Sequence, residues 1–234
     1  YFRNEQDFKL FSNSFYDNLF SKEQYARQSD VFYQKGVLSD ELVGGVARES
    51  PTGVGSGGWG WSQLRKINTM LGNMDKCDDQ AVVKQYTGLA KFFRARFYYE
   101  KVKKFGDVPY VEDVLTIDQS FAYGRTPVAE INEHIYNDFD EAIELLPEKY
   151  STEQRATKYA AMAFKARHAL YMGDWKIAAE AAKKLIDEGP FTLHKDFTDL
   201  FLAVPSEKNT DEVIFKLARS KELKIDIFGT RDHL

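Results

Sequence analysis

Cysteine is almost missing from this chain. Cys77 stands alone among 234 residues, so no intrachain disulfide can form and a thiolate metal cluster has no basis. No sign of charge dominates either: 32 basic and 36 acidic residues are well mixed, for a formal charge of -4. That balance provides no sustained positive field of the kind that neutralises a phosphate backbone, which argues against a nucleic-acid partner. The sequence also lacks any run approaching the roughly 18 apolar residues that span a bilayer. It opens at Tyr1 with no basic, hydrophobic or cleavage region. We therefore expect a fragment, with any secretion signal or lipid anchor and a C-terminal portion lying outside it.

Motifs of metal and phosphate chemistry are lacking as well. His134, His168, His194 and His233 are dispersed, with no HExxH arrangement and no second ligand at metal spacing. Gly53-Val-Gly55-Ser-Gly57-Gly58 superficially looks like a phosphate loop, yet no Lys-Ser/Thr follows and no strand leads into it. The reading is of no metal and no cofactor. The acidic pairs Glu112-Asp113 and Asp138-Asp140 do not make a glycosidase, which needs two carboxylates facing each other at about 5 to 10 Å across the scissile bond. Asp138 and Asp140 sit two apart on a helix and point in different directions, so they read as charged helix surface and the chain reads as no enzyme.

What the sequence does have is aromatic rings and helical periodicity. Phe, Tyr and Trp make up 15% of a composition that is 43% hydrophobic, and most such rings pack between elements. From Glu5 to Phe20, Phe8, Phe11, Phe15 and Leu19 recur at spacings of three and four and share a helical stripe. Helical spacing resumes at Trp61, where Leu64, Ile67, Leu71 and Met74 share a face. It continues from Asp78 through Val82, Tyr86, Leu89, Phe93 and Phe97 to a stop at Gly106. Asp78 or Asp79 suits the N-cap of that long helix. Thr126-Pro127 predicts another helix start, with Ile131, Ile135, Phe139, Ala142 and Leu146 as its buried stripe up to Pro147. Arg94 and Arg96, set among aromatics in the long helix, are expected to pair with a carboxylate or stack on rings.

The helices 157–172 and 174–188, divided at Gly173 and ended by Gly189-Pro190, carry a repeat signature. Gly173, Trp175, Ala178, Ala182, Leu185 and Pro190 are spaced like the second half of a tetratricopeptide repeat. Ala160, Ala161, Ala163 and Ala166 would allow close backbone approach, with Trp175 or Tyr171 filling the space near the turn. A weaker echo pairs Ala90 to Tyr99 with Asp138 to Pro147. The expected fold is mainly α, a tetratricopeptide-like α-α superhelix with long irregular loops and little strand, the little being Glu212 to Ala218.

Between Ser21 and Gly60 the periodicity disappears and glycines concentrate, which marks a long, functional loop region. Gly-Gly-Trp59-Gly-Trp61 is the sharpest candidate within it. An indole held on glycine-rich backbone can stack on the apolar face of a sugar while polar neighbours bind hydroxyls. The plain alternative is that Trp61 starts a helix and packs in the core. Tyr33 could add a second platform, and Asp40 and Arg48 flank the same region.

Several ordered blocks resemble the SusD/RagB family, surface lipoproteins of the Bacteroidetes that capture nutrients, usually glycans. They are Tyr1-Phe2 with Glu5-Gln6-Asp7-Phe8; Trp61 to Leu71, reading WSQLRKINTML; and Ala90-Lys91-Phe92-Phe93-Arg94-Ala95 with Phe105-Gly106-Asp107-Val108-Pro109. Further along come Arg155-Ala156-Thr157 with Ala160-Ala161, Leu170-Tyr171 and Trp175. Gln154, where the family commonly has Gly, and Trp61, more often Tyr, depart from the pattern. The resemblance implies a single SusD-like helical domain over 1–234, with a ligand site in the loop region 21–60 and helix pairs over 78–190. It implies an outer-membrane, surface-exposed nutrient binder that passes a glycan to a SusC-like TonB-dependent transporter and touches the membrane only through a lipid anchor absent from this chain. It also implies that the N-terminal loop, with Asp40 and Arg48, contributes hydrogen bonds to ligand. The alternatives are a tetratricopeptide-like adaptor binding a protein segment and, behind it, a surface glycosidase.

Overall fold

A computed structural model of the chain describes residues 1–18, 58–151, 155–195 and 212–216. Tyr33, Asp40, Arg48, Leu19, Gln154, Leu200-Phe201 and most of the glycine-rich loop lie outside the described residues. The described elements are α1 (Glu5–Asn13), α2 (Ser62–Leu71), α3 (Gln80–Phe105), α4 (Ile117–Ser120), α5 (Val128–Leu145), α6 (Lys158–Met172) and α7 (Trp175–Glu188), with 3-10 turns at Tyr16–Asn18 and Met74–Lys76. The fold is mainly helical, as the periodicity predicts. Residues 212–216 are irregular rather than extended in a sheet. A strand requires a partner for its ladder, and none lies beside this segment among the described residues; Phe215 instead packs its ring near Phe92, 6.5 Å between centroids.

The central element is α3. The Asp79 side chain caps it by accepting from the Ala81 and Val82 amides. Buried residues run round its whole circumference, from Tyr86 and Leu89 to Phe92, Phe93, Phe97 and Tyr98. A helix apolar on every side is a core helix, and its neighbours cover it: α5 most extensively, with α2, α1 and α6 on other sides. Its closest approach to α5 is at Gly88, where a Cβ would lie 2.8 Å from Leu145 Cβ. Gly106, at φ +67°, ends the helix in a region that favours glycine.

The α5 stripe is buried as expected: Ile131, Ile135, Phe139, Ala142 and Leu146 are at most 4% exposed. The start of α5 is shifted by one residue. Pro127 stands at the cap itself, while the Thr126 amide donates to the Val108 carbonyl at 2.9 Å. The Val128 amide donates to Asp107 Oδ1 at 2.9 Å. Asp107, 21 residues upstream, thus does the work that a local Thr cap was expected to do.

Helices α6 and α7 pack against each other across a left-handed turn at Gly173. Ala160, Ala161, Ala169, Ala178 and Ala181 are buried, so small side chains set a close approach. Together with the α3–α5 pair, this forms the tetratricopeptide-like scaffold. Trp175 and Tyr171 stay largely exposed, at 68% and 54%: the indole edge lies 4.0 Å from where a Gly173 Cβ would be, and the Tyr171 ring lies beside Tyr99.

Two buried polar groups tie the helices together. Arg94, 4% exposed, donates to Asp138 through Nε at 2.6 Å and a terminal nitrogen at 2.8 Å. Asp138 is therefore not helix surface; it sits in the α3–α5 interface with Lys91 also at 3.0 Å, while Asp140 turns away to Lys165. Burial alone would lower the Arg94 pKa, but the hydrogen bond and charge of Asp138 outweigh it and raise it. Arg96 lies over the Phe164 ring, the stacking expected of it. His168, in α6, is fully buried with Nε2 3.0 Å from Asn132 Oδ1. Paired with that amide oxygen, Nε2 donates and Nδ1 is left as an acceptor, with no partner among the described residues.

Candidate functional site

Helix α2 and the segment 109–123, irregular apart from the short α4, face each other across a cleft of about 390 Å³. One wall is helical: Trp61 at the cap, then Ser62, Leu64, Arg65 and Asn68. The other is formed by Pro109, Val111, Asp113, Leu115, Ser120 and Tyr123. The lining is mainly apolar with a few separated polar groups, the usual make-up of a small-molecule site.

The second wall is held by clamps from two helices. Tyr98, on α3, donates its hydroxyl proton to the Val111 carbonyl at 3.1 Å and accepts from the Val111 amide at 2.7 Å. Asn68 Nδ2 reaches across from α2 to the carbonyls of Val111 and Asp113 at 3.1 and 3.3 Å. Arg65 donates to the Leu115 carbonyl at 2.9 Å. Glu112, between two clamped residues, meets Arg94 at 3.2 Å and Tyr110 at 3.0 Å. The backbone groups of an extended wall are thereby satisfied without a sheet. The Arg94–Asp138 pair that joins α3 to α5 also reaches this wall. Burial pushes the Tyr98 and Tyr110 hydroxyls well above their ordinary range, so they act as neutral hydrogen-bonding groups.

Trp61 is half-buried on the cleft, its ring against Phe97 at 5.5 Å and Tyr98 at 6.4 Å. Both readings of this residue coexist: one part packs on the core and another lines an opening. Trp59 is also half-buried, but it stands edge-on to Trp61 and Phe105, with the Arg125 guanidinium 5.2 Å from its ring centroid. It does not line the cleft. Beneath the two indoles, Lys101 donates to the carbonyls of Gly58 and, at 2.7 Å, Gly60. Burial, then Lys104, pushes the Lys101 pKa down to about 8.

Sequence reasoning missed Arg65, Asn68, Asp113, Ser120 and Tyr123. One signal was available: Asn68 is a polar residue inside the apolar stripe of α2, next to Ile67 and only 2% exposed. A buried amide in such a place needs a partner from elsewhere in the chain.

The fold defines a class, a tetratricopeptide-like helical scaffold with a cleft at its edge, and comparison with known proteins is more specific. Residues 60–170 match a SusD-like family model described as "Starch-binding associating with outer membrane". A SusD-like protein of Formosa agariphila is 37% identical over 131 residues, which is 53% of this chain and 25% of that protein. A solved SusD-like protein from Bacteroides fragilis NCTC 9343 has a TM-score of 0.64 at 26% identity, covering 71% of this chain and 34% of its own. A solved laminarin-binding SusD-like protein shares the fold with a TM-score of 0.59 at 22% identity, over 66% of this chain and 35% of its own. The chain fits the SusD/RagB family, and it spans between a quarter and about a third of the length of these relatives.

Proposed function

We propose that this chain binds a glycan at the bacterial cell surface, without catalysing a reaction on it, and passes it to a SusC-like TonB-dependent transporter. The observation that carries the reading is the cleft. A sugar ring offers an apolar face and a rim of hydroxyls, and the cleft opposes these with Trp61 and with the polar groups of Ser62, Arg65, Ser120 and Tyr123. The cleft lies within the region that matches the starch-binding description. Trp59 would brace Trp61, and Tyr33, Asp40 and Arg48, outside the described residues, are proposed as further ligand-binding residues. The chain is read as one domain whose helix pairs hold that face and offer a surface to the transporter.

The donor set supports the non-catalytic reading. Asp113 is the sole carboxylate lining the cleft among the described residues, and its neighbour Glu112 is engaged by Arg94 and Tyr110. Two facing carboxylates are what glycoside hydrolysis requires.

Native affinity electrophoresis in gels containing starch or laminarin tests the proposal. The wild-type chain is expected to be retarded by one of them. Trp61→Ala and Tyr123→Ala should bind at least about tenfold more weakly, the cost of truncating an aromatic anchor. Tyr123 is 42% exposed, so its loss leaves the core intact. Unretarded wild type, or full retention by both variants, would reject the cleft as the glycan site.

The adaptor reading draws on a different observation. A groove of about 340 Å³ between α5, α6 and α7 is lined by Asp140, Glu144, Lys158, Lys184 and Glu188 around Met162 and Ile143, the polar lining that suits a bound peptide. Its mixed charge selects no particular peptide, and the glycan reading is preferred.

A further inference from the structure

We infer that Lys101 is the positioning residue of the indole pair: its ammonium gathers the Gly58 and Gly60 carbonyls and so fixes the angle at which Trp61 meets the cleft. The importance of that angle rests on the glycan reading; the positioning itself does not.

Phe97, Lys101 and Phe105 follow one another at intervals of four on α3 and so share one face of the helix. The ammonium is 4.8 Å from the Phe97 ring centroid, 5.1 Å from Trp61 and 5.9 Å from Phe105. A lysine that is 5% exposed would be costly if its donors were idle. They are not: Nζ donates to the carbonyls on either side of Trp59. Two carbonyls two residues apart that converge on one cation leave the intervening peptide units little freedom. This matters because the segment is Gly58-Trp59-Gly60-Trp61, and glycine-rich backbone otherwise samples many conformations. Gly58 itself sits at φ +91°.

Lys101 therefore does for the loop what Tyr98 and Asn68 do for the opposite wall. Arg125 completes the arrangement, stacking on Trp59 while donating to the Asp107 carbonyl at 2.7 Å. The neighbouring Lys104 approaches Gly58, 3.2 Å from where its Cβ would be, but among the described residues it makes no bond to the Gly58 or Gly60 carbonyl. The two lysines are thus distinguishable by mutation.

The experiment needs no glycan. In a Trp175→Phe background, Trp59 and Trp61 are the remaining indoles. Lys101→Met keeps most of the apolar stem of the side chain, one atom short of the ammonium, and leaves both carbonyls unpaired, so the loop should turn them to water. We expect indole emission to move to longer wavelength and acrylamide quenching to rise about twofold. Lys101→Arg, which retains the charge and the donors, should stay near the parent, as should Lys104→Met. Phe8→Leu, a core change that packs on Tyr86 about four turns back along α3, controls for general loosening.

Parent emission and quenching in folded Lys101→Met would overturn the inference. If that variant does not fold, Lys101→Gln carries the test, because its amide is one atom too short to reach both carbonyls. It should shift the same way, and parent values in the folded protein would be equally fatal. Glycan retention by the wild type alongside unmoved indoles in Lys101→Met would defeat this inference and leave the binding proposal standing. Moved indoles without any glycan retention would do the reverse.

Discussion

Replacing Asp138 with alanine is expected to lower the melting temperature by about 10 °C, corresponding to roughly 3 to 5 kcal/mol for a broken buried ion pair. The size follows from where the charge is left. Arg94 and Asp138 side chains are 5% and 4% exposed, so removing the carboxylate strands a guanidinium whose nearest remaining acid, Glu112, is 52% exposed and 3.2 Å away. Arg94→Met should cost less, because Asp138 keeps Lys91 at 3.0 Å. The double variant Arg94→Met/Asp138→Leu should regain much of the loss, since well-packed apolar groups replace a buried pair at little cost. Thermal melts of the three variants check this. A single Asp138→Ala melting within about 2 °C of the parent would mean that the pair contributes no more than a surface one.

The second large effect is a loss of stability in mild acid. Burial pushes the His168 imidazole down from 6.5 to about 4. The groups around it are the Tyr99 ring from α3, Asn132 and Tyr136 from α5, and Asp174, whose charge opposes the shift. Between those two values the unfolded chain takes up a proton that the folded one refuses, so stability falls as pH drops from about 6.5 to about 4 and levels off below. The full difference is about 3 kcal/mol. Carboxylates titrate in the lower part of the same range, so the comparison that isolates His168 is with His168→Gln, which has nothing to protonate. Urea unfolding at intervals from pH 7 to 4 should give a shallower decline in that variant. Parallel declines in the two proteins would show that His168 is not the proton acceptor.

The helices were legible in the sequence because their buried faces repeat at the helical period. Phe8 and Phe11, the run from Tyr86 to Phe97, and the stripe Ile131 to Leu146 all occur where that period places them; Phe15 is buried too, but in the turn after α1 ends at Asn13, short of the expected Phe20. The role of Arg94 could be read too, since a guanidinium among rings on a core helix has few other options. The cleft was hidden. Its second wall is irregular, and it is held by contacts such as Asn68 to Val111 and Arg65 to Leu115, which span 43 and 50 residues. No local pattern encodes such pairings. The trace they do leave is a polar residue inside an apolar stripe: Asn68 in α2, Lys101 between Phe97 and Phe105, and Asp138 in α5. Each one turns out to hold a distant part of the chain. Trp175 and Tyr171, rings expected to fill the space near the Gly173 turn, lie beside it but stay mostly exposed.

The most direct test of the account is a titration of the isotope-labelled chain with maltoheptaose and with laminarihexaose, following the indole N–H signals of Trp59, Trp61 and Trp175 and the Asn68 side-chain amide by NMR. Trp61 and Asn68 line the cleft, and Trp175 stands on α7, outside it. With the oligosaccharide that binds, the account predicts saturable shifts at Trp61 and Asn68, a smaller one at Trp59, and a stationary Trp175. Saturable binding that leaves Trp61 and Asn68 unmoved would contradict it.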